Sequence, residues 1–314
     1  MGKKLTYYIS GYKIELFSDV PDKLEKMLYG FGPFVTQPKI GNLSPSLNPP
    51  IMQFVINESQ NLSHLTFMET EGEMIHIFVI EKGKCILRKN GNKYDFTILR
   101  ENDGRLELVL DMETGSPLFN CTCGSSSELN PDNLKFALWI AFGFVAIPKQ
   151  TVALHASVII YNNRAILFLG ESGTGKSTHT KLWLEHIPGS RLLNDDSPVV
   201  RIEFDGTNQL MPFVYGSPWS GKGRCYLNER YPIASFVRLQ QHTANTITKL
   251  SKLEAFGALY PSFPPAFLKD DYFEEQICGI ISKILMTAQV YRLHCLPDST
   301  AAELVKITVF KCDE

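Results

Sequence analysis

Short runs of β-branched, aromatic and aliphatic residues, broken by turn formers, fill the first 120 positions. Beyond position 150 such runs alternate with longer segments of helical spacing. Leu5 to Leu16 reads as a hairpin folded about Ser10-Gly11, and Val20 to Tyr29 as a short helix with Asp22 near its start. Proline crowds positions 33 to 50, which marks an irregular connection. Strands are expected at Ile75 to Glu81, Lys84 to Lys89 and Arg105 to Leu110, with Lys82-Gly83 and Asn90-Gly91 as turns. The most apolar stretch, Phe136 to Ile147, has 12 residues. That is short of the roughly 20 a membrane span needs, so it reads as a buried helix, with Pro131 suited to its first turn.

In the second half, Val152 to Tyr161 and Arg164 to Leu169 read as consecutive strands joined across Asn162-Asn163. Ser177 to His186 and Asp271 to Thr287 have helical spacing, and Arg191 to Leu193, Val199 to Glu203, Ala234 to Leu239 and Val290 to Cys295 read as further strands. The expected fold class is α/β, a nucleotide-binding core on a mixed sheet, preceded by a strand-rich α+β domain. The small, polar run at 121–133 is the sharpest compositional break. It divides the chain into an N-terminal domain at 1–120, a linker at 121–133 and a second domain at 134–314.

Composition narrows the function classes. Apolar residues are 44% and charged residues 20% of the 314, with a net charge of -2, which is a globular balance without a broad basic surface. Neither nucleic acid nor an anionic membrane is an expected partner. Seven cysteines, odd in number and irregularly spaced, indicate a reducing compartment rather than a disulfide framework. The first ten residues lack the apolar core of a signal peptide, and a cytoplasmic location is expected. Cys121-Thr122-Cys123 has no second close pair to complete a metal site and reads as loop; His294-Cys295 reads as core.

The chemistry begins at Gly170-Glu171-Ser172-Gly173-Thr174-Gly175-Lys176-Ser177, which fits G-x-x-x-x-G-K-[ST] at every fixed position. A chance match in a chain of this composition is on the order of 1 in 100, so context must decide. The apolar run Ala165 to Leu169 precedes it and a helical segment follows, in the order the motif requires. Gly170, Gly173 and Gly175 let backbone wrap an anion without Cβ clashes. The amides of the loop, Ser172 and Thr174 included, then point at phosphate together with the helix start at Ser177 and Thr178. Lys176 neutralises the β and γ phosphates of ATP, and Ser177 offers a hydroxyl to Mg²⁺.

Leu192-Leu193-Asn194-Asp195-Asp196-Ser197 ends a short apolar run with two carboxylates, one able to hold the metal and one to accept a proton from a hydroxyl. A second glycine-rich loop, Tyr215 to Arg224, carries Lys222 and Arg224. It reads either as a clamp for phosphate or an acidic substrate, with Ser217 helping to shape the pocket, or as a surface turn.

Leu154-His155-Ala156-Ser157-Val158, the glycine loop, and Leu193-Asn194-Asp195-Asp196 together resemble the catalytic domain of HPr kinase/phosphorylase. That family carries a similar His-x-Ser strand, Gly-x-Ser-Gly-x-Gly-Lys-Ser loop and Asp-Asp pair, and belongs with the phosphoenolpyruvate carboxykinase-like folds. The specific likeness covers residues 150–205. Thr178 stands where those kinases typically carry an acidic residue. The resemblance implies a P-loop core of that type and places His155 beside the phosphates and the acceptor. It also implies that Asp195 and Asp196 divide metal binding and base duty, with Ser177 and Asp195 as metal ligands, and that the chain forms a homo-oligomer.

The expected activity is Mg-ATP-dependent phosphoryl transfer to a hydroxyl of serine type on a protein, peptide or small molecule. The alternatives are carboxykinase chemistry on oxaloacetate and a non-catalytic nucleotide-binding regulatory module.

Overall fold

The computed structural model describes residues 3–37, 49–59, 62, 72–125, 128–221 and 225–310. Most of the proline-crowded connection, at 38–48, lies outside the described residues. The chain divides into two units. One holds the described residues up to Lys149 together with Lys269–Asp271; the other holds Gln150–Leu268 and the described residues from Tyr272 onward.

In the first unit, β1 (Lys3–Ile9) and β2 (Tyr12–Ser18) form the expected hairpin. Ser10 and Gly11 both take left-handed backbone, φ 48° and 80°, as a two-residue hairpin turn requires. A short helix α1 (Pro21–Met27) follows, with proline in its first turn. Then come β3 (Met52–Glu58), β4 (Glu73–Ile80), β5 (Gly83–Asn90), β6 (Lys93–Arg100), β7 (Leu106–Glu113) and β8 (Leu118–Cys123). Among the described residues these make an eight-stranded mixed sheet in the order β1-β2-β3-β8-β7-β6-β5-β4. Helix α2 (Pro131–Ala146) starts at an Asn130 cap and packs aromatic rings on the sheet, Phe136 on Phe78 and Phe96, Phe144 on Tyr94 and Phe119.

The polar run at 121–133 is therefore no linker. Cys121 and Cys123 are buried in β8, and the apolar helix after Pro131 belongs to the first unit, so the division falls after Lys149. Small, polar composition marked a connection inside the first unit, not a break between units.

The second unit runs β9 (Thr151–Ala153), β10 (Ala156–Tyr161), β11 (Arg164–Leu169), α3 (Lys176–His186), β12 (Arg191–Asp196), β13 (Val199–Phe204), β14 (Leu210–Tyr215), β15 (Arg230–Gln241) and β16 (Thr246–Lys249). It continues with α4 (Lys252–Leu259), α5 (Asp271–Thr287), β17 (Gln289–Cys295) and α6 (Ser299–Val309). Its mixed sheet has the path β12-β10-β11-β15-β14-β13-β9, with β17 also on β15 and β16 on β17. The β10–β11 hairpin turns at Asn162 and Asn163, both left-handed at φ 47° and 55°.

The single strand expected over Val152 to Tyr161 is broken at Leu154-His155. β9 pairs with β13, whereas β10 pairs with β11 and β12. Trp183 of α3, Ile187 just after it, and Ala302 and Val305 of α6 pack with Phe168, Val237 and Leu293 of the sheet in one apolar cluster. The protein is thus an α/β chain with two mixed sheets and few helices. No helix among the described residues is long and apolar enough to cross a membrane.

Candidate functional site

β11 is almost wholly apolar and buried from Ala165 to Leu169, and it delivers the chain to the glycine-rich turn at its carboxyl end. The turn needs its glycines. A Cβ on Gly170 would lie 2.3 Å from Thr174 Oγ1, and Gly175 takes φ 101° as the residue before α3. Thr174 fastens the turn by donating from its amide and hydroxyl to the Glu171 carbonyl, at 3.2 and 2.9 Å. No side chain caps α3, so the amides of its first turn are left to the solvent side of the loop, where Ser177 and Thr178 are exposed.

Lys176 folds back over this turn and is buried. Its Nζ donates to the Gly170 and Glu171 carbonyls at 2.7 and 3.1 Å and lies 2.8 Å from His155 Nε2. Burial pulls the ammonium below the usual lysine range, against the opposing pull of Asp196 and Asp195. His155 Nδ1 lies 3.2 Å from Asp196 Oδ1. A single tautomer, with its proton on Nδ1, satisfies both contacts: it donates to Asp196 and accepts from Lys176.

Pairing of β10 with β12 brings the remaining groups in. Ser157 stands opposite Asp195, and Ala156 opposite Asp196. The buried Ser157 hydroxyl donates to Asp195 Oδ1. Ser177 Oγ reaches the same carboxylate at 3.0 Å from Oδ2 and 3.2 Å from Oδ1. Asp196 takes φ 136°, a conformation that a side chain other than hydrogen rarely adopts.

The second glycine-rich segment buttresses this strand end. Gly221 N–H and Ser220 Oγ donate to the Asp195 carbonyl at 2.6 and 3.3 Å. Asn194 Nδ2 donates to Ser217 O and Oγ at 3.3 and 3.2 Å, and Ser217 Oγ donates to Ser197 O at 2.6 Å. Gly216 is obligatory, because a Cβ there would lie 1.8 Å from the Leu227 carbonyl oxygen. Trp219 is buried. Lys222 and Arg224 lie outside the described residues.

The residues singled out in the sequence at 155, 170–178 and 195–196 therefore converge at one strand edge. Sequence reasoning gave Ser157 no role of its own and missed Asn194 as a support, whereas Ser217 was expected to help shape the pocket. Ser157 had one signal, its place two residues after His155. Its partner is set by a pairing 38 residues away that no local spacing reveals.

Among the described residues no three His, Cys, Asp or Glu side chains gather as a metal cluster. Cys121 and Cys123 are buried thiols whose pKa desolvation raises, that of Cys123 to about 11, and neither is poised as a thiolate ligand. His294 lies beside Gln240 Oε1 at 3.1 Å and stacks on His242. No protein-family model matches the chain, and no curated protein matches it in sequence.

Proposed function

We propose that the chain is a magnesium-ATP-dependent kinase with a P-loop core, transferring the γ-phosphoryl group to a serine-type hydroxyl. One observation carries the reading: the Ser177 hydroxyl of the glycine loop and the Asp195 carboxylate meet at 3.0 Å across two separate elements. Both are hard oxygen donors. Mg²⁺ characteristically takes one or two protein oxygens and completes its shell with phosphate and water, so a cluster of three protein groups is not needed. Ser177 and Asp195 would hold the ion, which neutralises charge on the β and γ phosphates when bound. The resemblance of residues 154–158, 170–177 and 193–196 to the HPr kinase catalytic domain supports the same assignment.

The protein groups then divide the work. Lys176, held off the solvent on the loop carbonyls, turns to the β and γ phosphates, and the loop amides line the same anion. Asp196, oriented by His155, takes the proton of the acceptor hydroxyl. The acceptor oxygen bonds to the γ phosphorus while the β–γ bridging oxygen departs with ADP, attacking and leaving oxygens roughly in line.

Titration calorimetry with MgATP tests the site. The parent binds, and Lys176→Ala weakens binding by about tenfold or more, the loss of a charge-assisted contact. Equal affinity in parent and variant would remove the basis of the assignment. ADP release dependent on a serine-bearing acceptor, with a phosphorylated product seen by mass spectrometry, tests the transfer.

A further inference from the structure

A cleft of about 770 Å³ lies on the flank of the glycine loop away from the carboxylates. β11, β15 and β17 are parallel neighbours, so their carboxyl ends share one edge, with Leu169 beside Arg238 and Arg238 beside Arg292. The acidic strand β12 lies on the other side of β11, beyond β10. The cleft is lined by Glu171 to Thr174 of the glycine loop, by Arg238 to Gln241 of β15 with Arg292 of β17, and by Glu254, Gly257 and Ala258 of α4. Its volume falls within the roughly 300–1,000 Å³ of small-molecule sites.

Two features of this cleft point to a ligand. Gly257 sits inside α4, exposed and lining the cleft, and a Cβ added there would meet nothing within 4 Å. A glycine inside a helix costs about 1 kcal/mol relative to alanine, and no packing among the described residues requires it here. The missing side chain widens the cleft. Opposite it, Gln241 Nε2 donates to the Gly173 carbonyl at 3.4 Å, and Arg238 Nη1 donates to the Ala258 carbonyl at 3.1 Å. Glu171 and Glu254 also line the cleft, Glu171 paired with Arg238 at 3.7 Å, so hydrogen-bonding groups that can turn to a ring edge or a ribose converge around the space Gly257 leaves open.

We infer that this cleft takes the nucleoside of the phosphoryl donor, with Gly257 as the residue that makes room for it. The inference rests on the reading of the glycine loop as a phosphate cradle. In-line transfer sets the direction. If the acceptor comes from the side of Asp195, Asp196 and His155, the leaving diphosphate points the opposite way across the loop, toward β15 and β17. A donor held there draws affinity from its nucleoside, so bare polyphosphate binds less well than ATP.

Calorimetry on the full chain with MgATP and, separately, with magnesium tripolyphosphate separates the two readings. The parent binds both, MgATP more tightly. Gly257→Leu places a favoured helix former on an exposed helical position, and thermal unfolding will show its fold retained. It weakens MgATP by about tenfold or more through steric exclusion and leaves tripolyphosphate unchanged. Unchanged MgATP affinity in the variant, or parallel loss of both ligands, overturns the inference while the loop assignment stands. Unchanged MgATP affinity with lost turnover of an acceptor would instead put the acceptor in the cleft. A parent that binds neither ligand sinks the loop reading, and the cleft assignment with it.

Discussion

Asp195 and Asp196 are adjacent in sequence and meet different partners. Asp195 faces the hydroxyls of Ser157 and Ser177, whereas Asp196 faces His155 and carries the unusual backbone, φ 136°. On the proposed kinase reading we assign the metal role to Asp195 and the base role to Asp196, a division that two neighbouring carboxylates in a sequence do not disclose. Asp195→Asn is expected to raise the Mg²⁺ concentration for half-maximal turnover by about tenfold or more. Asp196→Asn should leave that requirement in place and lower kcat by roughly 10²–10⁴, the usual worth of a general base. Magnesium titrations of both variants check the pair; reversed effects would exchange the roles. The strained backbone adds a second readout. A conformation of this kind costs on the order of 1–3 kcal/mol, and glycine relieves it at about 0.5–1 kcal/mol of added unfolded-state entropy. Asp196→Gly should thus gain about 1 kcal/mol of stability while losing turnover, as chemical denaturation would show.

At the scale of elements, β11, the glycine turn and α3 were legible because each is specified locally: an apolar run, a spacing of glycines, a helical segment. What stayed hidden was pairing. The register of β10 on β12 puts Ser157 against Asp195, and the break between β9 and β10 places His155 at the strand edge; both depend on contacts far along the chain. Helix α3 also holds a group that its own periodicity does not flag. His179 is buried, lies edge-on to Phe168 and accepts from Trp183 Nε1 at 3.3 Å. Desolvation lowers its pKa from 6.5 to about 4. Between these values the unfolded chain holds a proton that the folded chain refuses. The folded state therefore keeps its full stability above pH 6.5 and loses part of it as pH falls toward 4. At pH 5 the loss from this one group is ~2 kcal/mol. His179→Gln retains an acceptor for Trp183 and removes the titration. Urea unfolding at pH 7.5 and 5 should show the variant losing less stability than the parent by that amount, and equal losses would exclude His179 as a source.

For the whole molecule, the compositional break at 121–133 misplaced the boundary because polar turn residues report exposure, and exposure occurs inside a unit as well as between units. The division at Lys149-Gln150 has no such flag; Gln150 simply takes left-handed backbone, φ 58°. Nor does sequence order reveal that the first unit reclaims Lys269–Asp271 from a stretch otherwise given to the second. Asp270 shows why those residues count with the first unit. It is buried and accepts from Lys89 Nζ at 2.8 Å and Tyr94 Oη at 2.9 Å, on β5 and β6. Burial works against the Lys89 charge, yet hydrogen bonds to Asp270 and Tyr94 hold its pKa above the usual lysine range. Asp270→Ala removes the shared acceptor of a cation and a phenol. A hydrogen bond to a charged group contributes roughly 1.5–3 kcal/mol, so the loss should speed amide exchange in the surrounding strands by about tenfold or more. Although residue 270 follows β10 and β11 by about a hundred positions, the faster exchange should appear in peptides covering β5 and β6 and spare β10 and β11. Exchange that rose in β10 and β11 while β5 and β6 stayed protected would assign residues 269–271 to the other unit.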